Sequence, residues 1–225
     1  PDTYQANDSK RPIAAGTLTR REAGLPDTGF VFCNFNQTYK LTPDCFAAWM
    51  RILQQVEDSV LWLWHGKEAQ ANLQREAEAR GVATGRLLFA SSLPLPRHLA
   101  RLKLADLFLD SWPYNAHTTA SDALWAGVPL LTCRGKVFAG RVAVSLLAAA
   151  GLPELIMETT ADYERRAVEL AQDAASLSSL RNKLAQNRLN CALFDTERFR
   201  RNLEAAFAKM WDIYRRGEAP HGFAV

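Results

Sequence analysis

Short runs of apolar, β-prone residues alternate with stretches of helical periodicity between residues 30 and 159. The apolar runs predict strands, and the amphipathic stretches between them predict helices. Strands are predicted over 30–35, 59–64, 86–90, 107–110, 128–132 and 155–156, and helices over 43–56, 69–80, 97–103, 118–126 and 140–150. Continuous apolar strands are typical of a parallel sheet that helices cover on both faces. With right-handed crossovers, the pattern predicts a doubly wound α/β sheet.

The two ends of the chain differ from this alternating middle. After Thr159 the pattern is purely helical, with helices predicted over 162–173, 178–188 and 197–216. The last of them has an apolar stripe with steps of four and three residues, formed by Phe199, Leu203, Phe207, Trp211 and Tyr214. Residues 1–29 are polar, contain several glycines and prolines and show no period, which predicts a linker that leads into the domain. We therefore expect one α/β lobe over residues 30–225, with a helical tail from about residue 160.

The composition is that of an ordinary globular protein. The 225 residues are 48% hydrophobic and 23% charged, which excludes a disordered or collagen-like chain. The net charge of +3 is too small to indicate nucleic-acid binding by itself. The longest nearly apolar stretch, 142–151, is far shorter than the roughly 20 residues of a membrane span. Because the chain starts at Pro1 without a signal peptide, we expect a cytoplasmic protein of which this sequence is one part.

Several common functional sites are excluded by the sequence. The cysteines at positions 33, 45, 133 and 191 show no C-x-x-C spacing, so neither a four-cysteine zinc site nor a redox pair is predicted. They are expected to be free thiols, three of them in apolar surroundings. The glycine-rich dinucleotide and phosphate loops and the zinc-protease and serine-hydrolase motifs are also missing from the sequence. The function must therefore come from a less common constellation.

Polar residues with suitable chemistry follow several of the predicted strands. In open α/β sheets, ligands bind outside the carboxyl ends of the strands, where helix N-termini present free N–H groups to anions. The strand-end residues are Asn34, Asn36, Gln37 and Lys40 after the first strand, Arg97, His98 and Arg101 after the third, and Tyr114, Asn115, His117, Thr118, Thr119 and Asp122 after the fourth. Thr118 and Thr119 at a helix start can hold a phosphate, and Lys40 is a suitable point charge for a diphosphate. Asp122 can accept hydrogen bonds from a ribose diol, so the set favours a bound phosphorylated ligand.

Each of these residues also has an interpretation without a ligand. The two threonines can be a plain N-cap, and Asp122 can be a first-turn acid that the helix dipole favours. His98 can be an ordinary surface or core histidine, and Arg101 can pair with Asp106. The basic face of the last predicted helix is typical of a solvated surface. The functional interpretation therefore depends on the joint placement of the polar residues at strand ends.

Two strings are specific enough to indicate a family, namely CNFNQxYK from Cys33 and NxHTTxxDxLWAGxP from Asn115. Together with SVLWLW and GRVAVSLLAAAGLPELI, they resemble the C-terminal catalytic lobe of protein O-GlcNAc transferases and SPINDLY-like glycosyltransferases, in particular a bacterial homologue. The resemblance runs from about Phe30 to the C-terminus. It implies a GT-B fold of two Rossmann-like lobes, of which this chain is the donor-binding one.

The resemblance also implies a reaction and its participants. The implied enzyme transfers N-acetylglucosamine from UDP-GlcNAc to Ser or Thr hydroxyls of proteins with inversion, and needs no metal or other cofactor. The implied partners are the other catalytic lobe and the N-terminal tetratricopeptide repeats, which build most of the acceptor side, but neither nucleic acid nor a membrane. The general base is expected in those other parts, although His117 is one candidate within this lobe.

Four residues match positions that contact UDP in the family. Gln37 and Lys40 are implied to lie on the diphosphate and leaving-group side. Lys40 is implied to be the catalytic residue that stabilises the departing UDP. His98 and Arg101 match the uridine-contacting pair, with His98 against the uracil ring. These two pairs would hold the two ends of the nucleotide.

The motif after the fourth predicted strand matches the rest of the donor site. His117, Thr118 and Thr119 match the loop that holds the diphosphate and the sugar, and Asp122 matches the ribose ligand. Tyr114 matches a position near the acetamido group of the sugar, where the animal enzymes have a smaller residue. The resemblance thus implies that one short motif contacts ribose, diphosphate and sugar.

Three other functions are considered as alternatives to the transferase. One is a non-catalytic module that binds a nucleotide sugar, although such a module would not need Lys40, both threonines and Asp122 together. Another is a UDP-sugar enzyme of the same fold, such as a UDP-GlcNAc epimerase, which typically places a glutamate pair on the ribose. The last is nucleic-acid binding through the basic C-terminal helices, which a steep salt dependence would indicate.

Overall fold

The computed structural model describes residues 2–16, 18–64 and 66–225 of the chain. Within these ranges six strands form one sheet: β1 (Val31–Asn34), β2 (Val60–Trp64), β3 (Leu87–Ala90), β4 (Leu107–Leu109), β5 (Leu130–Cys133) and β6 (Ile156–Met157). Their order across the sheet is β3-β2-β1-β4-β5-β6, and neighbouring strands are parallel. This is the strand order of a doubly wound α/β fold. The predicted fold class is therefore confirmed.

Helices connect and follow the strands: α1 (Pro43–Gln55), α2 (Lys67–Glu78), α3 (Leu95–Leu102), α4 (Thr118–Ala126), α5 (Val142–Ala149), α6 (Thr160–Gln172), α7 (Ala174–Asn187) and α8 (Thr196–Arg215). Five of them start one to four residues earlier than the periodicity predicts, and the local cause is clear for α3 and α7. Helix α3 starts at Leu95 because Pro96 is tolerated in the first helical turn. Helix α7 starts at Ala174 because the Asp173 side chain accepts a hydrogen bond from Ser176 N at 3.0 Å and caps the helix.

The core lies between the sheet and the helices on its faces, and two aromatic residues connect it to the end of β4. Trp49 of α1 and Tyr163 of α6 are both fully buried. Trp49 Nε1 donates to Tyr163 Oη at 3.2 Å, and Tyr163 donates to the carbonyl oxygen of Asp110 at 3.0 Å. Buried polar groups of this kind need partners, and here the partners are each other. The packing of α1 and α6 therefore fixes the backbone at the carboxyl end of β4.

The segment before β1 packs on the lobe, although its described residues, 2–16 and 18–30, contain no helix or strand. Leu25 is buried in the core, and Ala14 N donates to the carbonyl oxygen of Pro96 at 3.0 Å. Arg20 forms an ion pair of 2.9 Å with Asp106, directly before β4. The segment therefore runs along the lobe, while its role as a linker between domains stays a prediction.

The four cysteine side chains are free thiols, as the sequence predicts. Cys33, Cys45 and Cys133 are buried, and Cys191 is half-buried. Among the residues that the structure describes, no group of three or more His, Cys, Asp or Glu side chains is arranged to hold a metal ion. In the same part of the chain, no helix is both long enough and apolar enough to cross a membrane.

Candidate functional site

The strand order places the candidate site between β1 and β4. These neighbours are parallel, and the sheet grows from them in opposite directions, toward β3 on one side and β6 on the other. At such a switch point the loops that follow the two strands diverge and leave a crevice at the carboxyl edge. The loop after β1 leads through a short 3₁₀ turn, Thr38–Lys40, into α1, and the loop after β4 leads into α4.

Asp110 organises the loop after β4. Its carboxylate is fully buried, and Oδ1 accepts hydrogen bonds from Ser111 N at 2.8 Å and Ala116 N at 2.6 Å. Oδ2 accepts a hydrogen bond from Thr132 Oγ1 of β5 at 2.6 Å. Burial raises the pKa of Asp110 to about 7, while these hydrogen bonds and the charge of Lys40 act in the opposite direction. The loop is therefore folded around one acidic side chain.

Sequence reasoning did not assign Asp110 a role. A signal was present, because an acid directly after a buried strand is costly unless it is hydrogen-bonded. The loop after β4 also packs closely against Gly140. A Cβ at this position would lie only 2.6 Å from the carbonyl oxygen of Pro113, so a side chain would not fit without a shift of the loop. Asn115 N also donates to the carbonyl oxygen of Ala139 at 2.9 Å. The loop position thus depends on long-range contacts.

Lys40 lies at the switch point with its ammonium group held in place. The residue is buried, and Nζ donates to the carbonyl oxygen of Asn115 at 2.9 Å. Nζ also lies 4.1 Å from the centre of the Tyr114 ring, within the range of a cation–π contact. Burial lowers the pKa of Lys40, and the nearby Asp110 raises it. Lys40 is therefore a pre-oriented cation between the two loops.

His117 and Tyr114 continue this cluster. Their ring centres are 5.1 Å apart, and His117 Nε2 lies 3.4 Å from the carbonyl oxygen of Ala139. Burial is the main cause that lowers the pKa of His117. Tyr114 is partly exposed at the edge of the cluster. The structure therefore brings Lys40, Tyr114 and His117 into one contiguous group.

The two threonines do not form a plain N-cap. Helix α4 begins at Thr118, so the N-cap residue is His117, whose side chain makes no capping hydrogen bond to the described helix. Thr119 Oγ1 donates instead to Asn36 Oδ1 in the loop after β1, and Thr118 is exposed. Backbone N–H groups of an uncapped first turn are a favourable place for an anion. The N-terminus of α4 thus opens toward the loop that carries Lys40.

His98 and Arg101 form a second cluster on α3, around Phe35. Arg101 is buried, its Nε donates to His98 Nδ1 at 3.1 Å, and its guanidinium carbon lies 5.2 Å from the Phe35 ring centre. Burial lowers the pKa of His98 to about 4 and that of Arg101 to about 10. Arg101 Nη2 is buried without a hydrogen-bond partner among the described residues. Such an atom is unusual in a native protein, and here the guanidinium group packs on the rings of Phe35 and Trp62 instead.

The proposed pairing of Arg101 with Asp106 is not observed. Asp106 instead forms ion pairs with Arg20 at 2.9 Å and Arg181 at 3.0 Å, at the amino edge of the sheet. Arg101 lies near the carboxyl edge, where Nη1 donates to the carbonyl oxygen of Ser91 after β3. The sequence spacing is compatible with Arg101 turned toward Asp106 or toward the carboxyl edge. The packing of Arg101 on Phe35 favours the carboxyl edge.

Asp122 is not a first-turn acid, because α4 begins at Thr118 and its first turn contains no acidic residue. The Asp122 side chain is almost fully buried and forms an ion pair with Arg11. Burial raises the pKa of Asp122, and the charge and hydrogen bond of Arg11 lower it. Arg11 could not be identified from the sequence, since it lies 111 residues away along the chain.

Gln37 is the predicted site residue with the weakest structural support. Its side chain is exposed, and its carbonyl oxygen accepts the hydrogen bond from Lys40 N at 3.0 Å that closes the 3₁₀ turn. The neighbouring Asn36 is better integrated, since its Nδ2 donates to Ser111 Oγ at 2.9 Å while Oδ1 accepts from Thr119. The contacts therefore give the loop after β1 two roles, namely holding Lys40 and binding α4.

A pH dependence follows from the buried carboxyl of Asp110. Its folded-state pKa of about 7 lies above the value of about 4 in an unfolded chain, so the folded state holds the extra proton between these pH values. Stability should therefore fall as the pH rises from about 4 to 7, by at most about 1.4 kcal/mol per pH unit. We expect the Asp110→Asn variant to lack this pH dependence of the free energy of unfolding. Urea unfolding of the wild type and the variant between pH 4 and 7 would measure the difference. Parallel pH profiles would contradict it.

Several known proteins are similar to this chain in sequence. The model of glycosyl transferase family 41 matches residues 3–203. A probable UDP-N-acetylglucosamine–peptide N-acetylglucosaminyltransferase, SEC of Arabidopsis thaliana, is 39% identical over 232 residues, which cover 100% of this chain and 24% of that protein. The UDP-N-acetylglucosamine–peptide N-acetylglucosaminyltransferase of Caenorhabditis elegans is 36% identical over 96% of this chain and 20% of its own length. The chain thus spans about a quarter or less of these relatives.

Solved structures give the same result for the fold. A mutant O-GlcNAc transferase from Thermobaculum terrenum is 31% identical and superposes with a TM-score of 0.78, over 94% of this chain and 39% of that chain. The protein HepE from Anabaena, in complex with UDP and glucose, shares the fold with a TM-score of 0.63, at 14% identity. The doubly wound sheet is thus the kind found in GT-B glycosyltransferases. Since the family match covers most of its length, the chain belongs to glycosyl transferase family 41.

Proposed function

We propose that this chain is the donor-binding lobe of an enzyme that transfers N-acetylglucosamine from UDP-GlcNAc to Ser or Thr hydroxyls of proteins. The observation that carries the proposal is the contact between the two halves of the site. Lys40 and the open N-terminus of α4 lie on loops that meet at the switch point, joined by Asn36 and Thr119. The names of the relatives from Arabidopsis thaliana and Caenorhabditis elegans support UDP-GlcNAc as the donor and a peptide as the acceptor.

The nucleotide would lie along the carboxyl edge from α3 to α4. Uridine is assigned to the cluster of His98 and Arg101, which lies beyond the carboxyl end of β3. The ribose diol would donate hydrogen bonds to Asp122, and Lys40, Thr118 and Thr119 would hold the diphosphate together with the first turn of α4.

The remaining predicted residues would surround the donor sugar and the leaving-group oxygens. Tyr114 and His117 lie beside Lys40 and offer an aromatic wall to the sugar ring. Gln37 is exposed on the same loop as Lys40, where its amide can reach a diphosphate oxygen. All nine residues predicted from the sequence would then contact the nucleotide sugar, with Lys40 as the catalytic residue.

The chemistry needs stabilisation of a departing diphosphate. The acceptor oxygen attacks the anomeric carbon from the face opposite to UDP, the bond from that carbon to the β-phosphate oxygen breaks with its electron pair on UDP, and the hydroxyl proton passes to a base. We propose that the cation Lys40 and the first-turn N–H groups of α4 stabilise the charge that develops on the β-phosphate, so that no metal is needed. Preorganised groups of this kind act most strongly in the transition state. The base would belong to the other lobe or to the acceptor side.

Transfer to a protein hydroxyl is tested with the complete enzyme. Radiolabelled UDP-GlcNAc and acceptor protein should give label on the protein that alkaline β-elimination releases, because Ser- and Thr-linked sugars have this property. UDP-glucose, supplied at the same concentration, tests whether the donor sugar is GlcNAc. If the nucleotide sugar binds but no label is transferred, the lobe is a non-catalytic binding module and the proposed activity is wrong.

Helix α8 carries an exposed apolar face, and we propose that the other catalytic lobe packs against it. The further proposed partners are the tetratricopeptide repeats and the acceptor protein. Phe207 and Trp211 are each 59% exposed, and Tyr214 is 72% exposed and stacks on Trp211. A continuous apolar face of this kind is typical of an interaction surface. The Thermobaculum terrenum transferase supports this assignment, since this chain covers only 39% of it.

We expect Phe207, Trp211 and Tyr214 to be shielded in the complete enzyme and open in this lobe alone. Hydroxyl-radical footprinting with mass spectrometry measures this directly for each side chain. Leu189 serves as the internal control, because it is 76% exposed and lies outside α8. Equal oxidation of the three aromatic residues in the two forms would show that the other lobe does not cover this face.

A further inference from the structure

A short part of the N-terminal segment lies directly on α4, and we call residues 4–11 the strap. Tyr4 Oη lies 3.3 Å from His117 Nδ1, and Asn7 Oδ1 accepts a hydrogen bond from Ser121 Oγ at 2.5 Å. At the end of the strap, the carbonyl oxygen of Arg11 accepts a hydrogen bond from Trp125 Nε1 at 3.1 Å. The contacted residues of α4 lie one turn apart along the helix. The strap therefore follows the same helix that carries the proposed ribose and diphosphate ligands.

Arg11 is held from several directions. Its Nε donates to the carbonyl oxygen of Asp8 at 3.1 Å, and its Nη2 donates to Ser121 Oγ at 3.1 Å. Its guanidinium carbon lies 5.7 Å from the centre of the Trp125 ring. The Arg11 side chain is only 11% exposed, so the guanidinium group cannot turn freely toward another partner. Its remaining Nη1 is directed at Asp122 Oδ1, with which it forms the ion pair.

This arrangement matters for Asp122, whose side chain is 8% exposed. A buried carboxylate without a counter-charge tends to become neutral, and a neutral acid is a weaker acceptor. Arg11 supplies the counter-charge and engages Oδ1, while Oδ2 has no hydrogen bond from the described part of the chain. A diol with two O–H donors needs an ionised, fixed carboxylate with an oxygen that can still accept.

We infer that Arg11 is a positioning residue for nucleotide binding: it holds the Asp122 carboxylate ionised and oriented so that Oδ2 accepts hydrogen bonds from the ribose diol of a uridine diphosphate. This inference rests on the proposed function, because it takes the ribose as the partner of Asp122. Arg11 itself need not touch the nucleotide. The opposite role would be a latch, in which Arg11 competes with the ribose for Asp122. The many contacts of the guanidinium group favour positioning, and the two roles predict opposite effects of removing it.

The test compares UDP with 2′,3′-dideoxy-UDP, which has no diol, in calorimetric titrations of the chain. For Arg11→Met, UDP affinity should fall by a factor of roughly 10–100, the value of a charge-assisted hydrogen bond, while the affinity for dideoxy-UDP should not change. Arg11→Lys should recover part of the loss, since it restores the charge. Arg20→Met is the matched control, because Arg20 forms its ion pair with Asp106 at the other edge of the sheet.

Each outcome decides between the possibilities. An equal loss for both ligands would mean that Arg11 only maintains the fold, and unchanged or tighter UDP binding by Arg11→Met would overturn the positioning role. Circular dichroism of the variants, measured at the titration temperature, confirms that they are folded. A wild-type chain that does not bind UDP at all would overturn the proposed function, and this inference with it. If the wild-type chain binds UDP and the Arg11→Met variant binds it equally well, only the inference about Arg11 is overturned.

Discussion

Replacing Lys40 with methionine in the complete enzyme is expected to reduce GlcNAc transfer by a factor of about 10²–10³. Methionine keeps most of the buried aliphatic length of the side chain, so the fold should persist. The loss is the ammonium group, which the structure holds between the carbonyl oxygen of Asn115 and the Tyr114 ring. Because that charge is fixed before the reaction, its effect should be greatest when the diphosphate departs, and kcat should fall more than KM rises.

The matched control is Lys103→Met, which removes an equal charge from an exposed residue at the end of α3. It should leave both constants unchanged. Lys40→Arg adds a second comparison, since the larger guanidinium group keeps the charge but cannot occupy the same buried position. Initial rates with labelled UDP-GlcNAc measure all three variants. Transfer by Lys40→Met at close to the wild-type rate would show that Lys40 is not the group that stabilises the leaving diphosphate.

Replacing Asp110 with alanine is expected to lower the free energy of unfolding by about 3–5 kcal/mol. The substitution removes the acceptor of Ser111 N, Ala116 N and Thr132 Oγ1, which are then left buried without a partner. Each such donor costs about 1–3 kcal/mol. The loop that carries Asn115 should also lose its shape, so nucleotide affinity should fall together with stability.

Asp110→Asn is the control for this experiment. Its oxygen can accept from the two backbone N–H groups, and its amide nitrogen can donate to the hydroxyl of Thr132, which rotates freely. Urea unfolding at pH 6 should therefore show a much smaller loss for asparagine than for alanine. Equal losses for the two variants would show that the hydrogen bonds of Asp110 are not what holds the loop after β4.

The fold was predictable because the strands are continuous apolar runs with clear ends. SVLWLW and LFLD are too short and too apolar for surface helices, and the parallel order followed from the helices between them. The starts of α3 and α7 were less predictable, because local contacts around Pro96 and Asp173 decide where the first turn forms. Periodicity finds a helix, whereas capping sets its first residue.

The site was predictable in part, for a related reason. Lys40, His117 and Thr119 lie in the segments that lead from a strand into the next helix, so the rule on carboxyl ends places them together without knowledge of their contacts. Arg11 has no such signal, because its partner is 111 residues away along the chain. Asp110 directly follows a buried strand, which implies hydrogen-bond partners, but the sequence does not tell which backbone N–H groups these are. The partners of both residues arise from tertiary packing and could only be identified in the folded chain.

The central claim is that the carboxyl edge between β1 and β4 binds UDP. Calorimetric titration of this chain with UDP and UDP-GlcNAc, wild type against Asp122→Ala, tests it most directly. We predict saturable binding of both ligands at one site per chain, with an affinity at least tenfold weaker for Asp122→Ala, since a charge-assisted hydrogen bond is worth about 1.5–3 kcal/mol. Absence of UDP binding by the folded wild-type chain, or equal affinity in the Asp122→Ala variant, would contradict it.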